Sequence, residues 1–289
     1  MFLVKNTKQN GVSIWKTVQK IAHSFQNSPI ILALFLSSYI FFLLILPLSA
    51  LFLVLIKNDW HEIVERATDP IALAAYSLTL KMAGCAACIN TFFGFIITWV
   101  LTRYEFPGKK YLDAAVDLPF ALPTSVAGLT LTTIYAEQGW IGKFLHFFNI
   151  QIVFTPIGVL LAMVFVSFPF VIRTLQPVLQ ELEVTLEEAA WSLGASPWQT
   201  FLRVILPTLW PALLTGFTLS FSRALGEFGS IVMISSNLPL KDLVASVLIY
   251  QSLEQYDYLG ASVIGIVVLL IALVSLLVIN ALQSFKLRV

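Results

Sequence analysis

Apolar residues recur along the chain in long, evenly spaced runs separated by short polar stretches. A helix needs roughly 20 apolar residues to cross about 30 Å of hydrocarbon, and inside lipid every backbone N–H and C=O must be bonded within the segment. The runs near 30–56, 72–101, 113–136, 154–176, 209–235 and 259–282 meet that length, so the pattern predicts six transmembrane helices, the third and fifth being the least uniformly apolar. The first 28 residues are polar and mildly basic. The apolar run behind them is longer than the ~7–15 residues of a signal-peptide core. An N-terminal segment 1–29 is therefore expected ahead of a membrane domain 30–289, with the first span retained.

Composition agrees with that pattern. Hydrophobic residues make up 58% of the chain and charged residues 11%, with a mean hydropathy of +0.87, whereas soluble domains carry roughly 25% charged residues. The expectation is an all-α polytopic membrane protein with lipid as its surroundings. A net charge of +1 leaves no basic stripe for nucleic acid once the charges are assigned to loops. Lysine and arginine concentrate on the cytoplasmic side of a membrane protein. One side here holds Lys5, Lys8, Lys16, Lys20, Arg103, Lys109, Lys110, Arg173, Arg203, Lys286 and Arg288, and the other only Lys57, Arg66, Lys143 and Lys241. Eleven against four predicts that both termini are cytoplasmic.

The external loops carry little chemistry. Lys57 to Pro70 includes Asp59, Glu62, Glu65 and Asp69 without catalytic spacing, and Trp140 to Phe148 is amphipathic enough to suit the membrane interface. Cys85 and Cys88 lie in an apolar run on nearly one helical face and read as small packing residues, because redox and metal cysteines need polar or electropositive surroundings. His23, His61 and His146 are too scattered to hold a metal, and no cofactor is expected.

The connection over 180–207 is different. Its sequence, ELEVTLEEAAWSLGASPWQTFLRVILP, predicts two short helices. Thr185 with Glu188 forms one capping-box pattern, Gly194 suits the left-handed end of the first helix, and Ser196, Pro197 and Gln199 open the second. Pro207 and Pro211 bracket the entry into the fifth span. Ala189, Ala190, Trp191, Leu193, Trp198, Phe201 and Val204 offer apolar surface for docking into a partner's groove. A hairpin lying on lipid is the alternative, which Glu181, Glu183, Glu187 and Glu188 oppose because anionic headgroups would repel them.

Glu188, Ala189, Ala190, Gly194, Val204, Leu206 and Pro207 resemble, at fixed spacing, the EAA motif of ATP-binding-cassette importer permeases, with Val204 in place of the usual isoleucine. The resemblance implies the type I importer permease fold. It also implies that the two short helices are coupling helices seated in a cytoplasmic ATPase, which this chain lacks: it contains no G-x-x-x-x-G-K-[ST] pattern. The segments DLPFALPTSVAG (Asp117 to Gly128) and SRALGEFGSIVMIS (Ser222 to Ser235) resemble those of sulfate, thiosulfate and molybdate permeases, the first most of all the T-type subunit of sulfate permeases. That family implies a heterodimer with a W-type sister subunit, two ATP-binding subunits and an external sulfate/thiosulfate-binding protein. It further implies alternating access without catalysis in this chain, and a bacterial inner membrane or a plastid envelope. A molybdate or tungstate permease is the runner-up within the family.

Read physically, Pro119 and Pro123 remove backbone donors inside the third span, which suits either a broken helix along a path or a packing kink. Arg223 and Glu227 share a helical face and are either a gate or subunit contact or a structural ion pair; ionisable residues in a membrane point to function by default. Gly226 and Gly229 flank them and permit close backbone approach. Thr124, Ser125, Ser222 and Ser230 are candidate donors to an oxyanion, although hydroxyls also pack between membrane helices. Lys81 either snorkels to the interface or attracts an anion. A membrane enzyme would need H-E-x-x-H or G-x-S-x-G, and neither occurs. A passive anion channel would have no need of the capped helix pair.

Overall fold

The computed structural model describes the backbone of residues 29–286 and the side chains of residues 32–281. The predicted N-terminal segment lies almost entirely outside the described residues, as do Lys5, Lys8, Lys16, Lys20, His23 and Arg288. The described residues divide into two compact units, one ending at Asn58 and the other beginning at Asp59. In the first, α1 (Pro29–Ile40) passes through a π turn (Phe41–Ile45) into α2 (Leu46–Ile56). None of its described side chains is buried, as suits a helix whose apolar surface faces lipid all round.

The second unit is built on α4 (Pro70–Arg103), α9 (Pro156–Glu181) and α12 (Leu206–Leu225), which pack against one another as its central layer. They approach closely because their contact faces are small. Ala83, Ala86 and Ala87 are fully buried on α4, and a Cβ on Gly94 of α4 or Gly216 of α12 would press within 2.9 Å and 3.2 Å of Val171 on α9. Asn90 ties all three: its Nδ2 donates to Val164 O at 3.1 Å, Ser167 Oγ at 2.8 Å and Ser220 Oγ at 3.1 Å. The stripe Ala83, Ala86, Ala87 and Asn90 takes the buried face, so Cys85 and Cys88 fall on the other side and are exposed, not packed as expected.

Around this layer lie α3 (Trp60–Ala67), α5 (Lys109–Val116), α6 (Leu118–Ala121), α7 (Thr124–Tyr135), α8 (Trp140–Phe147), α10 (Val184–Ser192), α11 (Pro197–Thr200), α13 (Gly229–Ile234), α14 (Ala245–Glu254) and α15 (Tyr258–Lys286). Among the described residues, five helices are long and apolar enough to cross a membrane. The segment expected as a third span, 113–136, is instead divided into α5, α6 and α7, and the fifth run is interrupted between Leu225 and Gly229. On α8, Trp140 and Phe147 are 92% and 82% exposed, a fully presented aromatic face.

Candidate functional site: a coupling knob and two broken helices

The knob begins where α9 ends. Glu183 N-caps α10, and Thr185 Oγ1 donates to Glu183 Oε2 at 2.9 Å. The expected Thr185–Glu188 capping box is not made, because the helix starts two residues earlier, with Glu183 at the N-cap position, and places Thr185 inside the first turn. The helix ends as expected: Gly194 takes φ +83°, its N–H reaches Trp191 O at 2.9 Å, and Ala195 N–H reaches Ala190 O at 3.0 Å. This is a Schellman motif. Ser196 and Gln199 then form the second capping box, at 2.9 and 3.3 Å, with Pro197 at the first helical position.

The second helix does not end as a separate element. It runs from Pro197 through a π turn (Phe201–Ile205) into α12, a continuous 29-residue element. The π turn precedes Pro207, whose ring crowds the backbone one turn earlier and whose missing N–H leaves a carbonyl there free. Pro211 sits inside α12 and brackets nothing. The second short helix of the knob is therefore continuous with a central helix.

Glu188, Ala189 and Gly194 are exposed, Ala190, Val204 and Leu206 half-buried, and Pro207 exposed. Leu193, Trp198, Val184 and Trp191 expose apolar surface beside them, at 89%, 67%, 51% and 49%. Beneath, Trp198 stacks on Phe201 at 5.6 Å, and Phe201 meets Phe95 at 5.9 Å and Trp99 at 6.1 Å. The knob thus stands on an aromatic plinth belonging to α4.

The second region lies where the two helix breaks meet. Leu122 and Pro123 are extended, with ψ 133° at each, so α6 and α7 are separate helices. Gly226 to Phe228 likewise divides α12 from α13. The breaks pack on each other. A Cβ on Gly229 would collide with Thr124 Oγ1 and lie 3.2 Å from Ser125 N, and one on Gly128 would lie 2.5 Å from Ser230 O. Only glycine permits this contact.

Glu227, 2% exposed, organises the break. Its Oε1 accepts from Ser230 N at 2.9 Å and Ser230 Oγ at 2.8 Å, its Oε2 accepts from Arg223 Nη1 at 2.7 Å, and its backbone carbonyl accepts from Ser246 Oγ at 2.7 Å. The carboxylate is fully paired, whereas the Arg223 side chain remains 31% exposed. Ser222 Oγ donates to Thr218 O at 2.8 Å, so its proton and that of Ser230 are engaged within the protein. Thr124 is half-buried and Ser125 and Pro123 are exposed at the break, while Pro119 is half-buried within α6, the short helix that precedes it. Lys81 is exposed on α4. An arginine and interrupted backbone on one exposed face cannot be left against lipid; protein or water must cover them.

Residues 90–289 match the family described as the binding-protein-dependent transport system inner membrane component. The chain belongs to that family. Among curated relatives, a probable sulfate transport system permease protein of Chlorella vulgaris is 78% identical over 81% of this chain and 88% of its own length. One from Prototheca wickerhamii is 70% identical over 88% of this chain and 99% of its own length, and one from Marchantia polymorpha 58% identical over 85% of each. The fold is shared with a bacterial alginate ABC transporter solved with a pentasaccharide-bound periplasmic protein, at TM-score 0.74 and 18% identity over 90% of this chain and 96% of that one. The methionine transporter MetNI is similar at TM-score 0.55 and 18% identity, over 75% of this chain and 95% of that one.

Within this inner membrane component the sequence pattern did not single out several polar groups. Arg103 pairs with Glu187 at 2.7 Å, and Arg173 binds Asp113 and Asp117. Asp242 folds the turn after α13 by accepting from Ser236 N at 2.7 Å, Ser236 Oγ at 2.7 Å and Leu238 N at 3.1 Å. Burial pushes the Asp242 carboxyl up, but these hydrogen bonds outweigh it and hold the group below its usual range. A polar residue inside an apolar run was the available signal for Asn90. The partners of the others are distant in the chain, and spacing says nothing of them.

Proposed function

We propose that this chain is the membrane-spanning permease subunit of an ATP-driven sulfate importer. The observation that carries the reading is the identity of 78% and 70%, over most of both chains, to proteins named as probable sulfate transport permeases. ATP hydrolysis belongs to a separate subunit, and this chain is not itself an enzyme.

The finer architecture follows as one reading. The chain crosses six times with both termini cytoplasmic, the third crossing being made by the divided segment α5 to α7. Glu188, Ala189, Ala190, Gly194, Val204, Leu206 and Pro207 form the ATPase-coupling knob. Pro119, Pro123, Thr124, Ser125, Ser222, Arg223, Glu227 and Ser230 belong to the path and its gate. The seam around Arg223 is closed by a W-type sister permease, which supports the reading because a half-exposed arginine at membrane depth needs a polar or protein cover. Two ATPase subunits and an external sulfate/thiosulfate-binding protein complete the importer. The algal sources of the relatives favour the plastid envelope.

Uptake of radiolabelled sulfate in cells lacking only this gene, with and without an intact copy, tests the reading. Loss and rescue are expected, with competition by unlabelled thiosulfate. Unchanged sulfate uptake beside lost molybdate uptake would overturn the sulfate assignment.

A further inference from the structure

We infer that Arg173 is a positioning residue that transmits movement of the coupling knob to the break at Leu122–Pro123, acting as a rigid strut between α9 and the divided segment. The inference rests on the reading of the knob as an ATPase-coupling element, but not on which anion is carried.

Every N–H of the Arg173 guanidinium is used. Nε and Nη2 bind Asp117 Oδ1 and Oδ2 at 2.8 Å each, Nη1 binds Asp113 Oδ1 at 2.7 Å and Gln176 Oε1, and Nη2 binds the Asp113 backbone carbonyl at 2.7 Å. An arginine has five such donors in one plane, so saturating them fixes the angle between the two elements as well as their distance. Asp113 and Asp117 are one helical turn apart, which presents both to the same partner. Gln176 Nε2 also donates to Asp113 Oδ1 at 3.2 Å. Three groups in this cluster are at least 30% exposed, a setting in which ion pairs add little stability. What the arrangement supplies is geometry.

Its place in the chain gives that geometry a use. Arg173 lies on α9, which ends at Glu181 only two residues before the first coupling helix begins. Leu179 and Leu182 there are buried with Ile205 and Leu209, so both ends of the knob share one core. Asp117 lies at the junction of α5 and α6, one four-residue helix ahead of the Leu122–Pro123 break. A second contact holds the same elements together: Phe120 of α6 meets Phe170 of α9 edge-on at 5.1 Å. Beyond the break, Thr124 abuts Gly229 beside Glu227. The strut thus stands between the cytoplasmic knob and the crossing of the two broken helices.

The test uses the full importer in proteoliposomes, with Cys85 and Cys88 replaced by alanine and Leu122→Cys as a reporter at the break. The labelling rate of the reporter by a membrane-impermeant thiol reagent is compared between nucleotide-free and ATP–vanadate-trapped complex. With Arg173 intact, trapping is expected to change the rate. With Arg173→Lys, which keeps the charge and loses the planar fork, the change is expected to shrink at least fivefold per assembled complex while ATP hydrolysis persists. Reciprocal exchange, Arg173→Asp with Asp117→Arg, returns a guanidinium–carboxylate pair between the two elements without a further thiol and is expected to restore part of it. An undiminished change in Arg173→Lys, no change with the strut intact, or a reciprocal exchange no better than Arg173→Asp alone would each overturn the inference. Sulfate uptake by the parent complex is read separately, so failure of the sulfate assignment leaves this result standing.

Discussion

Arg103, at the C-terminal end of α4, places Nη2 2.7 Å from Glu187 Oε1 on α10, the first helix of the knob. The two side chains are only 18% and 14% exposed, and the guanidinium also lies over the Trp99 ring, 5.6 Å from its centroid. One charged contact therefore anchors the knob to a central helix, opposite the covalent anchors supplied by α9 and α12.

Removing one partner of such a pair leaves a poorly solvated charge. Glu187→Gln is expected to cost about 2 kcal/mol of stability, below the roughly 3–5 kcal/mol of a fully buried pair because both groups retain some water. Sulfate uptake should fall further than protein abundance does. Thermal unfolding of the purified importer and uptake normalised to membrane protein check this; unaltered unfolding would show the contact to be energetically idle.

At the crossing, Gly128→Ala is expected to destabilise by about 3 kcal/mol, because the new methyl meets Ser230 backbone that cannot rotate away. Gly84→Ala on α4 is the control. Nothing lies within 4 Å of its Cβ position, so a neutral effect, or a gain of up to about 1 kcal/mol from helix propensity, is expected. Both are read from detergent melting curves.

Glu227→Gln keeps the shape of the side chain and removes its charge, leaving Arg223 uncompensated at a cost on the order of 2.5–3.5 kcal/mol by insertion scales. Uptake is expected to fall at least tenfold. Adding Arg223→Gln should restore abundance without restoring transport. Recovery of transport in the double variant would reduce the pair to a structural role.

The depressed Asp242 carboxyl gives stability a pH dependence of definite sign. Its contribution is fully present above the ordinary carboxylate value of about 4 and is lost as pH falls through its lower folded value, because the unfolded chain binds the proton first. Asp242→Asn is expected to be less stable at neutral pH and to show a shallower decline in acid. Melting temperatures of both proteins between pH 3 and pH 7 give the comparison.

Much of the knob's backbone was legible in one dimension because its determinants are local. The Schellman end at Gly194 and the Ser196–Gln199 box each involve residues within five positions of one another, so spacing alone predicts them. Thr185 failed for a local reason too. Two residues only two positions apart, Glu183 and Thr185, can each begin the helix, and which one does depends on how α9 delivers the chain. The long spans were equally legible, since a lipid-crossing helix announces itself by length and apolarity.

What only the tertiary structure decided is which breaks meet and which charges pair. Pro119 and Pro123 signalled a broken third span, but the interruption after Leu225 was not read from the sequence, and that Gly128 and Gly229 bring the two breaks into contact depends on packing between segments about a hundred residues apart. Arg173 counted in the sequence as one more cytoplasmic charge, and Arg103 likewise; their carboxylates lie 56, 60 and 84 positions away. Hydrophobic patterning records how a residue sits relative to lipid along its own helix. The angle at which one helix meets another is set by small residues and saturated hydrogen bonds, and those become visible only once the helices are side by side.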